Sequence, residues 1–184
     1  ELHYLFDDCF GNEEFDPTFG GEEFDVEEVA AIFEKYANAG ILLLYKQTGT
    51  NSLAGFAAAV PLSVQTDVLI ATQNYLSDAS HYWYHAELGI GRQHQGQGLG
   101  RKMACELLLN EVTSNRIIMR ARIDNDKTIN LHKTHLGFKE LLDKQGKKVS
   151  QWCPAKRKVG AVLANGNSCR YLADERIFLE LYKA

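Results

Sequence analysis

The spacing of apolar residues changes along the chain and predicts helices in some segments and strands in others. Apolar residues three and four positions apart predict a helix that Asp25 caps and Gly40 ends. The apolar face of this helix consists of Val29, Ile32, Phe33 and Tyr36. A weaker periodicity predicts a short helix near Leu2–Phe10, so two helices are expected before the first strand.

Short apolar runs bounded by glycine, proline or asparagine predict strands. These runs are Ile41–Lys46, Leu53–Val60, His81–Gly91, Arg116–Ile123, Phe138–Leu142 and Arg176–Tyr182. Helical spacing returns from Leu99 to about Asn115 and from Asp126 to His135, while Val64–Ser80 has no clear period. Hairpins alternate with helical crossovers in this order, which predicts an α/β (α+β) fold with a mixed sheet.

A glycine-rich segment joins the strand His81–Gly91 to the helix that follows it. The segment reads Arg92-Gln93-His94-Gln95-Gly96-Gln97-Gly98-Leu99-Gly100-Arg101. A strand that ends in such a loop before a helix gathers backbone N–H groups and the positive end of the helix dipole around one point, which suits a phosphate. A Walker loop would follow Gly100 with Lys and then Ser or Thr, and a dinucleotide loop would have glycine in place of Arg101. The spacing therefore predicts a phosphate-binding loop of another type.

The segment Gln95-Gly96-Gln97-Gly98-Leu99-Gly100 resembles the Q/R-x-x-G-x-G/A pyrophosphate loop of the GCN5-related N-acetyltransferase (GNAT) family. The order of elements around it is also similar, because Ala86–Ile90 resembles the family's splayed central strand and Arg116–Asp124 the strand after its long helix. The chain also has residues that resemble the family's closing signature, namely Asn125, Leu131-His132 and Leu136-Gly137-Phe138. The resemblance covers about Ile41 to Leu142. It implies a mixed, mostly antiparallel sheet with a splayed central strand pair, flanked by helices.

The resemblance implies that the chain transfers an acetyl group from acetyl-CoA directly to a primary amine of a small molecule or peptide. The residues it implies in cofactor binding are Leu88, Ile90, Arg92, Gln95, Gly96, Gln97, Gly98, Gly100, Arg101 and Asn125. The loop and its cations would hold the phosphates of coenzyme A, and the backbone edge Leu88–Arg92 would pair with the pantetheine arm. Gly89 and Gly91 would leave room for that arm. Asn125 has two interpretations, a contact with the arm or a cap of the next helix.

Amine acetylation needs a group that deprotonates the amine and a group that protonates the departing thiolate. The resemblance implies Glu87 as the base, with a structural or substrate-binding carboxylate as the alternative, and His85 would lie on the same strand face as a second candidate. His132 stands where the family often has a proton-donating Tyr, and histidine can also donate a proton. One residue more than usual separates His132 from Gly137, which would either rotate the side chain away or form a local bulge.

Charge is distributed unevenly along the chain. Eleven of the 24 acidic residues lie in Glu1–Glu28, whereas Val29–Ala184 contains 13 acidic and all 20 basic residues, a formal charge of +7. With the resemblance, one domain of residues 1–184 is expected, in which residues 1–40 form the acceptor side, 41–142 the cofactor-binding core and 143–184 the C-terminal strands. An acidic entrance would favour a cationic amine, and the alternative is a solvated acidic flank.

Other features argue against several classes of protein. No apolar run approaches the roughly 20 residues of a membrane helix, and no cationic and apolar leader is visible, so no membrane association is expected. The four cysteines Cys9, Cys105, Cys153 and Cys169 lack the spacing of a metal or disulfide motif and are expected to be reduced thiols in a cytoplasmic protein.

The sequence contains no pattern typical of a metal site or of nucleic-acid binding. His81 and His85 lack the accompanying ligands of a metal motif, so no metal is expected. The run Lys156-Arg157-Lys158 is too short to indicate nucleic-acid binding. A homodimer is compatible with the sequence. The alternatives to an active enzyme are a catalytically inactive acyl-CoA-binding module of the same fold and an unrelated nucleotide-binding α/β protein.

Overall fold

A computed structural model describes residues 1–10, 25–154 and 173–183 of this chain. The helices are α1 (Leu2–Phe10), α2 (Val26–Ala39), α3 (Thr66–Thr72), α4 (Leu99–Cys105) and α5 (Asp126–Asn130). The strands are β1 (Ile41–Lys46), β2 (Leu53–Pro61), β3 (Tyr82–Ile90), β4 (Arg116–Arg122), β5 (Lys139–Glu140), β6 (Ser150–Pro154) and β7 (Ala173–Tyr182). The segment Val64–Ser80, which has no clear sequence period, contains α3.

The described strands form one sheet in the order β1-β2-β3-β4-β7-β5, with β6 also paired to β7. Strands β3 and β4 are parallel, and the other neighbouring pairs are antiparallel. Strand β7 lies between β4 and β5, so the C-terminal strand belongs to the same sheet as the predicted cofactor-binding core. The predicted mixed, mostly antiparallel sheet with flanking helices is confirmed.

The two central strands are joined along only part of their length. Tyr82–His85 of β3 pairs with Arg116–Met119 of β4, and the pairing does not continue beyond these residues. The rest of β3, Ala86–Ile90, is paired with β2 alone, while Arg120–Arg122 of β4 is paired with β7. One backbone edge of each strand is thus left open where they diverge, which confirms the predicted splay.

Helices cover both faces of the sheet, which we call the front and back faces. The front face is covered by α1, α2 and α3 and is represented by Phe56, Ala58, Tyr84, Ile118 and Phe178. The back face is covered by α4 and α5 and is represented by Ala57, Ala59, Ile117, Met119 and Leu179. On the front face the fully buried ring of Phe56 stacks on Phe6 of α1, with ring centroids 5.8 Å apart, and meets Phe33 of α2 edge-on at 5.0 Å. Aromatic pairs of this kind contribute about 0.5–1.5 kcal/mol beyond their buried area, so they fix both helices on the sheet.

A β-bulge in β3 lies where the central strands diverge. Ala58 of β2 is paired with Glu87 and the next residue, Ala59, with His85, so Ala86 is an extra residue in β3. Since side chains alternate between faces, the extra residue places His85 on the back face and Glu87 on the front face. The expectation that His85 and Glu87 share a face is therefore wrong.

Gly89 of β3 and Gly91, just beyond its end, serve packing within the protein. A Cβ atom on Gly89 would lie 2.3 Å from Cζ of Phe56, so the Phe56 ring fills the place of a side chain. A Cβ atom on Gly91 would lie 3.1 Å from Cδ1 of Leu5 in α1. The side-chain space of both glycines is thus taken by core residues, and the expectation that they leave room for a cofactor arm at the strand edge stays a prediction.

The helix ends follow the sequence closely. The Asp25 side chain accepts a hydrogen bond of 2.8 Å from the Glu27 N–H, and the Gly40 N–H donates to the Tyr36 carbonyl, so the predicted bounds of α2 are confirmed. The helix after the glycine loop continues from α4 through a π-helical turn and ends at Glu111, four residues before the predicted end. None of the described helices has the length and apolar character needed to cross a membrane.

We predict that Gly89→Ala destabilises the protein because the new methyl group overlaps the buried Phe56 ring. Overpacking of this kind costs about 1–3 kcal/mol, which urea unfolding would detect as a lower free energy of unfolding. Gly100→Ala is the matched control, since its Cβ atom would meet Ile90 at an ordinary 3.6 Å. Equal stability of the two variants would contradict the packing described for Phe56.

Candidate functional site

The glycine loop has the backbone geometry of an anion site. Gly96 and Gly98 have positive φ angles of 74° and 79°, and a Cβ atom on either would face open space. Glycine is needed there for backbone conformation and not for packing. The first hydrogen bond of α4 runs from the Lys102 N–H to the Gly98 carbonyl at 3.1 Å. The N–H groups of Leu99, Gly100 and Arg101 precede it and so have no acceptor within the helix.

Glutamine side chains support the loop from within. The Gln95 amide donates to the Ile90 carbonyl at 3.0 Å, and the Gln97 amide donates to the Gln93 carbonyl at 3.1 Å. Of the predicted cofactor ligands, Gln95 and Gln97 therefore use their side chains to shape the loop. Their backbone groups remain part of the loop that would face a phosphate.

The other predicted cofactor residues lie around this loop in different ways. Leu88 and Ile90 have side chains on the back face and belong to the part of β3 that has no pairing with β4. Arg101 is exposed beside the loop. Arg92 is held by α1, because its backbone N–H donates to the Asp8 carboxylate at 2.8 Å and its Nε donates to the Asp8 carbonyl at 3.2 Å. Arg92 thus anchors α1 to the end of β3.

Asn125 caps the helix that follows β4. Its side-chain oxygen accepts a hydrogen bond of 3.1 Å from the Thr128 N–H, so the capping interpretation of Asn125 is confirmed. Beyond α5, the segment Leu131–His135 forms a π-helical turn, and the Phe138 N–H donates to the His132 carbonyl at 3.0 Å. A π-turn accommodates one extra residue in a helix. The extra residue before Gly137 therefore forms a local bulge, and His132 stays directed into the protein.

His132 and His85 form a buried pair on the back face. Nδ1 of His132 is 2.8 Å from the Thr128 carbonyl oxygen, and Nε2 of His132 is 3.0 Å from Nδ1 of His85. A carbonyl can only accept, so Nδ1 of His132 carries the proton and its Nε2 accepts from Nδ1–H of His85. Nε2 of His85 is then a bare acceptor, and it is buried with no hydrogen-bond partner among the described residues.

Burial keeps this pair neutral. His132 is 1% exposed and His85 4% exposed. Burial lowers the pKa of His132 to about 4, opposed by the Thr128 backbone. Burial and the neighbouring His132 lower the pKa of His85 well below its ordinary value. At neutral pH the pair therefore presents one basic nitrogen and no charge.

Glu87 is the partly buried carboxyl group on the front side of the splay. The Tyr36 hydroxyl of α2 donates to its Oε1 at 3.2 Å. Burial raises the pKa of Glu87 to about 7, opposed by the Tyr36 hydrogen bond and by the charges of Arg120 and Arg176. A carboxyl group whose pKa lies near neutral pH can accept and release protons under working conditions.

The sequence interpretation missed three residues around Glu87. Tyr36 was assigned only to the apolar face of α2. Arg120 and Arg176 lie on neighbouring strands, β4 and β7, and both act on the pKa of Glu87. A signal for them was available, because arginines within apolar strand segments are unusual in a protein interior.

Within residues 1–10, 25–154 and 173–183, no group of three or more His, Cys, Asp or Glu side chains is arranged to hold a metal ion.

The acidic N-terminal segment is described only in part. Asp8 pairs with Arg92 at 3.3 Å, Asp7 lies 3.5 Å from His3 in a contact that is ionic when His3 is protonated, and Asp25 caps α2. The expectation of a cationic acceptor rests mostly on acidic residues in 11–24, which lie outside the described residues. The run Lys156-Arg157-Lys158 also lies outside them.

A family profile matches the chain in sequence, and solved structures are similar to it in fold. The acetyltransferase (GNAT) family profile matches residues 2–138. No curated protein matches the chain. The structure is similar to ribosomal-protein-alanine N-acetyltransferase from Brucella melitensis, at 16% identity and a TM-score of 0.61 over 99% of this chain and 92% of that one.

Two further solved structures have comparable similarity. Naa20 from Chaetomium thermophilum, in complex with a bisubstrate analogue, is 13% identical with a TM-score of 0.58 over 97% of this chain and 80% of that one. YncA, a putative acetyltransferase from Salmonella typhimurium with its cofactor acetyl-CoA, is 17% identical with a TM-score of 0.57 over 98% of this chain and 86% of that one. At these identities the similarity shows a common fold.

We predict that the buried histidine pair makes the protein sensitive to acid. The unfolded chain takes up protons at these rings near pH 6.5, whereas the folded protein resists protonation to about pH 4 at His132. As the pH falls between these values, each ring should lower the free energy of unfolding by up to about 1.4 kcal/mol per pH unit, while Glu87, whose pKa is raised to about 7, acts in the opposite direction. Urea unfolding at several pH values measures this slope.

The double variant His85→Leu/His132→Leu removes both rings, so its free energy of unfolding should decrease less than that of the wild type as the pH falls from 6.5 to 4.5. His135, an exposed histidine on the same helical segment, supplies the control variant His135→Leu, which should keep the slope of the wild type. An identical slope in the double variant and the wild type would show that the pair is not neutral in the folded protein.

Proposed function

The chain belongs to the acetyltransferase (GNAT) family and is an acyltransferase, and we propose that it transfers an acetyl group from acetyl-CoA to a primary amine of a small molecule or peptide. Acetyl transfer from acetyl-CoA is general to this family, whereas the amine is the finer part of the proposal. The observation that carries it is Glu87, a carboxyl group with a pKa near neutral at the divergence of β3 and β4. An amine must lose a proton when it is acetylated, and Glu87 is suited to receive it.

The proposed path of acetyl-CoA follows the open part of β3. The N–H groups of Leu99, Gly100 and Arg101 at the start of α4 would bind the pyrophosphate. The unpaired edge of Leu88–Ile90 would pair with the amides of the pantetheine arm. This path would bring the thioester to the divergence of the strands, beside the bulge at Ala86.

The proposed chemical step needs no covalent enzyme intermediate. The amine nitrogen attacks the thioester carbonyl carbon, so that a C–N bond forms and the C–S bond breaks. The amine gives up one proton to Glu87, directly or through a water molecule. Coenzyme A leaves as a thiolate and takes up one proton, which balances the reaction as an amide and a free thiol.

The role of His132 as the proton donor of this step stays a prediction. Its hydrogen bonds determine which atom of the pair could exchange a proton with the cofactor. Its own N–H is bound to the Thr128 carbonyl, and its Nε2 faces His85. Nε2 of His85 carries no proton while the pair is neutral, so the pair could give up a proton there only after taking one up, and His132 would act as the partner that positions His85. The same nitrogen would accept a hydrogen bond from the cofactor while the pair is neutral.

Two expectations about this enzyme stay predictions. A cationic acceptor rests mainly on acidic residues outside the described ones, and a homodimer rests on the sequence alone. Of the two alternatives to an active enzyme, family membership excludes an unrelated nucleotide-binding protein. An inactive acyl-CoA-binding module is separated from an enzyme by the experiment below.

We predict that kcat/KM for amine acetylation rises with pH up to about 7 and then levels off. Glu87 is protonated below its raised pKa and can accept a proton only above it. Release of free coenzyme A, followed with a thiol reagent across pH 5.5–8.5, would give this profile. Glu87→Gln should lower kcat by about 10²–10⁴-fold and remove the inflection.

Tyr36→Phe tests whether the surroundings of Glu87 determine the position of the inflection, since it removes one hydrogen bond to the carboxylate but keeps Glu87. It should keep the inflection and move it to higher pH, because the hydrogen bond lowers the pKa of Glu87. An inactive protein that still binds acetyl-CoA would support the binding-module alternative. An inflection that persists in Glu87→Gln would assign the base to another residue.

A further inference from the structure

Two arginines extend from the front face of the sheet beside Glu87. Arg120 of β4 pairs with Phe178 in the sheet, and Arg176 of β7 pairs with Arg122 of β4 on one side and Gln151 of β6 on the other. The charges of Arg120 and Arg176 both lower the pKa of Glu87, which places them within electrostatic reach of the proposed base.

Arg120 is bound on one side only. Its Nη1 donates to the Asp67 carboxylate at 2.6 Å and to Gln151 Oε1 at 3.2 Å, and its side chain is 15% exposed. Its Nε is buried with no hydrogen-bond partner among the described residues. Asp67 and Gln151 thus fix the guanidinium group through Nη1, and Nε–H has no acceptor among the described residues.

The Nε of Arg176 is in the same situation. Arg176 is half-buried, and its Nε is buried with no hydrogen-bond partner among the described residues. Its cross-strand neighbour Arg122 carries the same charge and is itself paired with Asp124. Like charges directly opposite each other destabilise a sheet, and a buried N–H without an acceptor costs further free energy.

Among the side chains that the structure describes, the formal charges around the arginines do not cancel. Asp67 balances Arg120 and Asp124 balances Arg122, whereas Glu87 has a pKa near neutral and gives up its negative charge when it is protonated. Among the described side chains, Arg176 is therefore a positive charge without a paired carboxylate, and both Arg176 and Arg120 have a buried Nε–H without an acceptor. Guanidinium groups in such a position suit a carboxylate, which can accept two N–H groups at once.

We propose that Arg176 and Arg120 bind a carboxylate on the acceptor, so that the preferred acceptor is an amine that also carries a carboxylate, as a free amino acid does, and not the cationic amine that an acidic entrance would favour. This rests on the proposed function, because it assumes that an amine reaches Glu87. The carboxylate would neutralise Arg176 and accept hydrogen bonds from the two Nε–H groups that have no acceptor among the described residues. The amine of the same molecule would then lie on the Glu87 side of the arginines.

The first experiment compares matched acceptors with the wild-type protein. One series contains glycine, β-alanine and 4-aminobutyrate beside ethylamine, propylamine and butylamine, and another contains α-amino acids beside their amides. Spermidine and a lysine-containing peptide represent acceptors without this arrangement. The best carboxylate-bearing amine should have a kcat/KM about 100-fold above that of its uncharged partner, as is usual when a buried charge loses its partner.

The second experiment changes the arginine. Arg176→Gln should raise KM for the carboxylate-bearing acceptor about 10–100-fold and leave both its uncharged partner and acetyl-CoA unchanged. Arg116→Gln is the matched control, since Arg116 also lies on the front face of β4 but donates to Ser77 near the opposite end of the strand. That variant should leave all KM values unchanged.

The outcomes separate this inference from the proposed function. Equal or better acetylation of the uncharged amines or of spermidine by the wild type would overturn the inference and keep the acetyltransferase. Binding of acetyl-CoA without acetylation of any amine would overturn the proposed function itself. A carboxylate preference that Arg176→Gln leaves intact would show that other residues bind the carboxylate.

Discussion

The parallel pairing of β3 and β4 ends after four residues, and the arrangement of the site depends on that divergence. The extra residue Ala86 lies at the point where pairing stops. A bulge increases the local twist of a strand, which turns the rest of β3 away from β4. The strand remains in the sheet because β2 continues to pair with it as far as Ile90.

The bulge also divides chemical groups between the two faces. His85 lies before it and joins the neutral pair with His132 on the back face, whereas Glu87 lies after it and meets Tyr36 on the front face. The glycine loop continues from the open end of β3 into α4, which also covers the back face. Phosphate-binding groups and the acidic and basic groups around Glu87 are thus brought to one opening from different sides.

Features that depend on neighbouring residues could be predicted from the sequence. The Asp25 cap, the glycine loop and the cap at Asn125 are set within a few residues, so composition and spacing were sufficient. The single extra residue before Gly137 was also visible, but only the fold decides that a π-turn accommodates it. The faces of His85 and Glu87 could not be predicted, because they depend on the register between β2 and β3. The position of Arg176 near Glu87 depends on β7 entering the sheet beside β4, which no local pattern encodes.

The central claim is that the open part of β3 and the glycine loop together receive coenzyme A. Amide hydrogen exchange with and without coenzyme A, resolved by residue, tests this claim most directly. Binding should slow exchange at Leu88–Ile90 and at Gly96–Arg101 and leave the hairpin of β1 and β2 unchanged. Slower exchange elsewhere in the chain, with both of these segments unaffected, would contradict the account.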